Sequence, residues 1–286
     1  MAQRLAGKPP AQAVRERVKR DVALEREKSG RVPGLAVVQV GDDPASSIYV
    51  KRKHEAALAL GIQSFEHRPS AAISTEALLE LVDRLNDDAA VHGILVQMPL
   101  PPHLDARSLV ERINPAKDVD GLTRVSQGAL MRNQPGLRPC TAIGIMDLLS
   151  FYEVPISGRR AVVVGRSALV GLPVAVMLMQ QNATVTIVHS RTVEPAPIAA
   201  QADLLVVAAG QPALVTADWI KKGAVVVDVG INRREGGLAG DVDAAAAEAR
   251  ARAFTPVPGG VGPMTIAELM RNTWLAFSHQ VHGQYE

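Results

Sequence analysis

A chain of 286 residues is long enough to bury a sizeable core and is expected to divide into two domains. Hydrophobic residues make up 47% and charged residues 21%, as in a globular protein, and an aromatic content of 3% argues against the stacking platforms on which single-strand nucleic-acid binders rely. The 31 basic and 29 acidic residues are interspersed, so the net charge of +2 offers no polybasic face to nucleic acid or membrane.

No stretch reaches the roughly 18 apolar residues that suggest a membrane span, and the opening residues lack an apolar core of signal-peptide length, so a cytoplasmic protein is expected. The single cysteine, Cys140, excludes an intrachain disulfide and a cysteine-cluster metal site. It reads as a small, half-buried residue at a domain junction rather than as a reactive thiol.

Apolar positions at helical spacing over 11–28, closed by Gly30, predict a first helix, and "LAVVQV" (35–40) a first strand. The stretch "DDPASSIYVKRKHEAALALG" (42–61) then predicts a helix over 45–60 that stops at Gly61. On it Tyr49 and Lys53, four residues apart, share one face. A phenol beside an amine can support proton transfer, provided that the lysine is neutral, which requires desolvation or neighbouring positive charge. Tyrosine and lysine on a helix are more often surface residues, so the spacing leaves both roles open. A helix over 74–87 and the strand "GILVQM" (93–98) follow. Gln97 closes that strand, at the carboxyl end where open α/β sheets bind ligands.

Residues 114–140, with three prolines, three glycines and little periodicity, predict a long irregular loop that ends at the domain boundary. Asp118 and Asp120 have no histidine or glutamate at ligand spacing, so a turn before Gly121 is expected there and not a metal site. His54 and His189 read as surface or loop residues. From Thr141 a helix opens the second domain. Strands over 161–165, 184–189, 204–210 and 224–230 then alternate with a helical pattern at 171–181 and an alanine-rich stretch at 244–253. Runs apolar on both faces suit parallel strands covered by helices, so the class is α/β.

In "AVVVGRSALVGLP" (161–173), Gly165 at the strand end and Gly171 at the helix start fit the turn and close-packing roles of a dinucleotide loop. Ser167 stands near the place of a middle glycine, where its hydroxyl can donate to an anion; a plain strand–loop–helix turn is the alternative. The next strand ends in His189, Ser190 and Arg191, with no carboxylate for a ribose 2′-hydroxyl. Together with Arg166, this basic end suits a 2′-phosphate and favours NADP. Solvent exposure alone explains either arginine singly, and their coincidence at both places favours the phosphate. Finally, "TPVPGGVGPMTIAEL" (255–269) sets a rigid turn ahead of a helix opened near Pro263. From these residues an NADP-dependent dehydrogenase of some other metabolite and a nucleotide-sensing module both stay open.

Seven segments, "GDDPASSIYVKRK", "GILVQMPLP", "NPAKDVDGLT", "RPCTAIGI", "VVVGRSALVGLP", "DVGIN" and "TPVPGGVGPMT", span nearly the whole chain. On them the chain resembles the bifunctional methylenetetrahydrofolate dehydrogenase/methenyltetrahydrofolate cyclohydrolase (FolD) family. The resemblance implies a folate-binding catalytic domain over 1–140 plus the C-terminal helix 268–286, and a Rossmann-type NADP-binding domain over 141–267, with folate in the cleft between them. It implies NADP-dependent oxidation of 5,10-methylenetetrahydrofolate and hydrolysis of the methenyl product to 10-formyltetrahydrofolate in one-carbon metabolism. Tetrahydrofolate derivatives are then the partners of a homodimer, without metal, nucleic acid or membrane. Carried over residue by residue, the resemblance puts Tyr49, Lys53 and Gln97 in catalysis, and Asp120, Pro258, Gly259, Gly260 and Val261 at the folate. Thr141, Arg166, Ser167, Ser190 and Ile231 join Gly165 and Arg191 at the cofactor.

Overall fold

The computed structural model describes residues 2–234 and 237–285. Two compact units emerge, one of the residues up to Gln12 with Thr141–Thr265, the other of Ala13–Cys140 with the residues from Ile266 on. The first residues lie with the later unit, where the sequence assigned them to the earlier one, because β1 (Gln3–Arg4) pairs in parallel with Ala253–Phe254. A strand of two residues carries no readable alternation.

After α1 (Lys8–Ser29), the chain runs through β2 (Gly34–Val38), α2 (Pro44–Ala59), β3 (Gln63–His67), α3 (Thr75–Asp87), β4 (Gly93–Val96), α4 (Ala106–Arg112) and α5 (Arg124–Met131). The three strands form a parallel sheet in the order β3-β2-β4. Every residue of β2 and β4 is buried, as their unbroken apolar runs demand, whereas the edge strand β3 is half-exposed and polar. Because the chain leaves β2 to one side and returns to the other, the carboxyl ends of β2 and β4 flank a switch point, the place where such sheets open a ligand crevice.

Local chemistry sets the helix ends. Asp43 accepts the Ser46 N–H (2.7 Å) and Pro44 pre-forms the first turn of α2. Ser74 accepts the Ala77 N–H at the head of α3, whose Leu78, Val82 and Leu85 make one buried stripe. At its other end the buried Lys117 ammonium donates to the carbonyls of Leu85, Asn86 and Asp88 (3.1, 2.7 and 2.8 Å), satisfying oxygens that the helix leaves open. The stretch expected to be irregular contains α5, capped by Thr123 and anchored by buried Leu130; a helix of 8 residues is too short to show a period.

The other unit comprises α6 (Cys140–Phe151), β5 (Arg160–Val164), α7 (Gly171–Gln180), β6 (Thr184–Val188), α8 (Pro195–Ala199), β7 (Leu204–Val207), β8 (Val225–Asp228), β9 (Asn232–Arg234), β10 (Gly237–Ala239), α9 (Ala244–Arg250) and β11 (Ala253–Phe254). Its sheet is parallel throughout, in the order β1-β11-β8-β7-β5-β6, with β9 and β10 as a separate antiparallel hairpin. The switch point falls between β5 and β7. The last helix, α10 (Val261–His282), starts ahead of Pro263, and from Ile266 on it belongs to the unit of Ala13–Cys140. Among the described residues no helix is long and apolar enough to cross a membrane.

His92, at the head of β4, accepts the Gly34 N–H at its Nδ1 (3.1 Å) and meets Phe277 edge to face. Burial, and then the nearby Lys117 charge, push the imidazole down to about 4 from an ordinary value near 6.5. The folded state therefore holds a neutral ring, and the unfolded chain takes up the proton first as pH falls. Stability contributed by neutral His92 is complete above pH ~6.5 and lost towards pH ~4, and it is smaller than the full shift implies because the ring keeps part of its solvent contact. Urea melts of the wild type and of His92→Gln at pH 7 and 5 check this: the wild type should weaken more on acidification. Parallel losses would show that His92 is not the titrating group.

Candidate active site

The smaller sheet brings two sequence-selected side chains, Lys53 and Gln97, together at its switch point. The Gln97 N–H donates to the Val38 carbonyl (2.8 Å), extending the β2–β4 ladder by one residue and putting the Gln97 amide just past the strand end. Lys53, on the helix that follows β2, donates from Nζ to Gln97 Oε1 at 2.9 Å, and Gln97 Nε2 donates to the Met98 carbonyl (2.6 Å). With its amide nitrogen held by Met98, Gln97 presents its oxygen to the lysine. Tyr49 lies one turn before Lys53 and is half-buried, without a side-chain hydrogen bond to the lysine.

Asp120 completes the electrostatics. Burial pulls the Lys53 amine below its ordinary value, and the charge of Asp120 pushes it back up. Burial likewise raises the Asp120 carboxyl, opposed by Lys53 and reinforced by Asp118. Asp118 accepts the N–H groups of Leu122 and Thr123 and the Ser126 hydroxyl, a turn closure as its place before Gly121 suggested. Cys140 is fully buried, not half-buried, and its thiol donates to the Val119 carbonyl (3.2 Å). Burial, then Asp120 and Glu268, hold that thiol well above its ordinary range, so it stays protonated. Among the described residues no group of three or more metal-ligating side chains is gathered.

The larger sheet gathers the other set. Gly165 turns the chain at the end of β5 with φ +114°, and a Cβ there would lie 2.2 Å from the Ala208 carbonyl oxygen beyond β7. A Cβ on Gly171 would lie 2.3 Å from the Gly165 oxygen, so both glycines are required for backbone to cross backbone at the switch point. Ser167 takes an additional role: its Oγ accepts the Val170 and Gly171 N–H groups (3.2 and 3.5 Å) and closes the loop, leaving its proton to donate outward. Since Val164 pairs with Val188, Arg166 and the turn bearing Ser190 and Arg191 emerge from neighbouring strand ends. Arg166, Ser190 and Arg191 are exposed, and His189 Nδ1 accepts the Arg191 N–H (3.2 Å). Ile231 is exposed, and Thr141 shares a hydroxyl bond with Thr265 (3.2 Å). In the glycine–proline turn Pro258 and Gly259 are exposed, Gly260 is buried, and Val261 is buried where α10 begins.

Two residues of this end escaped the sequence. Asp228 accepts the N–H groups of Gly230, Asp241 and Val242, while Asp241 accepts those of Ala209 and Gly210 and the Asn232 amide. Together they brace the loops after β7 and β8, and a Cβ on Gly230 or Gly240 would strike one of the two carboxylates. Burial raises Asp228 to about 6 against those three donors. Both aspartates stand among glycines, where a turn is the ordinary reading, so only the bonds reveal the brace.

The chain matches the family model described as tetrahydrofolate dehydrogenase/cyclohydrolase, with its catalytic domain over residues 5–120 and its NAD(P)-binding domain over 139–281. The bifunctional protein FolD 2 of Frankia casuarinae is 54% identical over 270 residues, 94% of each chain. The crystal structure of the bifunctional FolD methylenetetrahydrofolate dehydrogenase/cyclohydrolase from Campylobacter jejuni aligns with a TM-score of 0.95 at 42% identity, covering 98% of this chain and 100% of that one. The Trypanosoma brucei N5,N10-methylenetetrahydrofolate dehydrogenase-cyclohydrolase, solved with NADP cofactor and an inhibitor, aligns with a TM-score of 0.92 at 42% identity over 98% and 99% of the two chains.

Gly165→Ala is expected to force the β5 turn away from Ala208 and to weaken NADP binding by about tenfold or more, the cost of a strained residue at this φ. Calorimetric titration with NADP measures it; an unchanged Kd would show that the turn accommodates a Cβ.

Proposed function

The chain belongs to the tetrahydrofolate dehydrogenase/cyclohydrolase family, and from that premise we propose which of its residues carry the two reactions. The reactions are the NADP-dependent oxidation of 5,10-methylenetetrahydrofolate to the methenyl cation and the hydrolysis of that cation to 10-formyltetrahydrofolate. The β5–α7 loop fits the cofactor: two glycines keep Cβ atoms out of it, and Ser167, whose Oγ already holds the Val170 and Gly171 N–H groups, keeps its own proton to donate to an anion. Bound NADP supplies the hydride acceptor. This chain's residues orient it: Arg166 and Arg191 offer guanidinium forks to a 2′-phosphate, and Ser167 and Ser190 offer hydroxyls. Thr141 and Ile231 complete that side of the site.

Oxidation needs positioning more than proton transfer, because hydride leaves the methylene carbon without a base and the resulting charge spreads over two folate nitrogens. Asp120 presents its carboxyl to the pterin, and the turn of Pro258, Gly259, Gly260 and Val261 lines the folate. Hydrolysis does need a base. Water adds to the methenyl carbon and gives one proton to Lys53 Nζ; the carbon–N5 bond then breaks as the remaining hydroxyl becomes the formyl carbonyl and its proton goes to N5, which leaves the formyl group on N10. Lys53 can accept that proton only when neutral, the form that its burial favours, and the bond it donates to Gln97 turns its lone pair away from the amide. Tyr49, one turn earlier, orders the same face of α2. The observation that carries the assignment is the 2.9 Å Lys53–Gln97 bond at the β2–β4 switch point.

A cytoplasmic homodimer is the proposed setting, supported by the single, reduced cysteine and by the resemblance. Nucleotide binding belongs to the unit of Thr141–Thr265 and catalysis to that of Ala13–Cys140.

Lys53→Met should reduce cyclohydrolase activity by about 100-fold or more while NADP still binds with its wild-type Kd, the range general-base removal produces. In the wild type the hydrolysis rate should rise with pH along a limb set below the ordinary lysine range, and that limb should vanish in the variant. Retained hydrolysis measured by decay of methenyl absorbance would remove Lys53 from the mechanism. Arg166→Ala and Arg191→Ala should each raise the NADP Kd by about tenfold and leave the NAD Kd unchanged. Equal losses for both cofactors would show that the arginines do not read the 2′-phosphate.

A further inference from the structure

Asp120 can serve the site only if the peptide that carries it is held still, and that depends on the residues on either side of it. On the following side Leu122 and Thr123 are tied by their N–H groups to the Asp118 carboxylate, and on the preceding side the Asp118 backbone bridges to Ile94 of β4. On the preceding side the Val119 carbonyl points into the core. There Asn272, fully buried in the middle of α10, donates one amide hydrogen to the Val119 carbonyl (2.8 Å) and the other to the Arg138 carbonyl (2.7 Å). The two acceptors fix the amide orientation, because only the nitrogen can donate twice.

The two carbonyls belong to segments that lie backbone against backbone: a Cβ on Gly121 would fall 2.3 Å from the Arg138 carbonyl carbon. Asn272 therefore joins the Asp120 peptide to the entry of α6, and its Nδ2 lies 3.5 Å from the Cys140 sulfur, whose thiol donates to the same Val119 oxygen. An amide in the middle of a core that includes Leu269, Met270 and Ala276 is costly to bury unless its hydrogens meet acceptors, as both do here.

We propose that Asn272 is a positioning residue for folate, acting through Asp120: it clamps the Val119 carbonyl so that the Asp120 carboxyl keeps its place beside Lys53. The inference rests on the assignment of Asp120 to the folate site made above. Without the clamp, the segment gains freedom that substrate binding must remove, so affinity for folate falls while cofactor binding is untouched.

The test is a double-mutant cycle in the full chain, read as KM for 5,10-methylenetetrahydrofolate and KM for NADP. Asn272→Ala should raise the folate KM by about tenfold with the NADP KM constant, a loss comparable to removing hydrogen bonds to buried carbonyls. In an Asp120→Asn background the same change should add less than about twofold, because groups acting through one another are not additive. The same factor in both backgrounds, or a matching rise in the NADP KM, would overturn the proposal as a general loss of packing. If Asp120→Asn alone leaves the folate KM unchanged, the assignment of Asp120 fails and takes the clamp with it. Thr273→Ala is the control: it lies on the same helix, is equally buried, and bonds only within α10 to the Leu269 carbonyl (2.7 Å). It should lower the melting temperature without moving the folate KM. Should Asn272→Ala fail to fold, Asn272→Ser keeps one donor, and the same cycle with it decides by the same criterion.

Discussion

A lysine that must be neutral to accept a proton has to be taken out of water, and the candidate catalytic end of the smaller sheet is organised around that desolvation. Removing Lys53 from solvent disfavours its ammonium form; putting Asp120 nearby favours it. The two influences oppose each other, and burial wins. The opposition is useful, since a lysine with burial alone would never take up the proton it is asked to receive. A carboxyl within electrostatic reach lets the amine hold that proton once it arrives. Asp120 pays a reciprocal cost, as burial raises its own affinity for protons.

Such a balance is sensitive to distance, so the groups must be carried by rigid parts. Gln97 extends a buried strand by one ladder bond, Lys53 sits on a helix whose first turn is fixed by Asp43 and Pro44, and Asp120 lies between two closed bonding systems. The buried Lys117, close in sequence to Asp120, spends its charge on three carbonyls at the end of α3. Two buried lysines thus have opposite fates. Lys117 is surrounded by acceptors that need a cation, although burial lowers its affinity for the proton too, while Lys53 has one neutral amide and a carboxyl.

What could be read from the sequence follows from range. The strands β2, β4, β5, β7 and β8 announce themselves because strands covered on both faces carry unbroken apolar runs, interrupted here only at the strand ends by Arg160 and Asp228, and Gly165 and Gly171 stand at fixed offsets from one of them. Tyr49 and Lys53 share a helix face that four-residue spacing makes visible. The polar edge strand β3, the two-residue strands β1 and β11, and the short helix α5 carry no period long enough to detect. Asn272 and its carbonyl acceptors lie 153 and 134 positions apart, and no local pattern can express such a partnership. The proposed catalytic residues therefore stand where a motif can show them, and the residues that brace them do not.

The nucleotide loop shows how a local rule can be broken without loss. A middle glycine ordinarily lets backbone approach a pyrophosphate, and here Ser167 occupies the loop instead. Its oxygen takes two N–H groups at the head of α7, so the loop is closed by its own side chain before any ligand arrives. Less conformational freedom is then left to lose on binding, which offsets the narrower approach that a side chain imposes. The same logic governs Asp241 on the other side of the switch point, where a carboxylate occupies the Ala209 and Gly210 N–H groups. At both edges of this crevice the protein uses its own polar atoms to set the backbone, while Arg166 and Arg191 stay exposed at the rim.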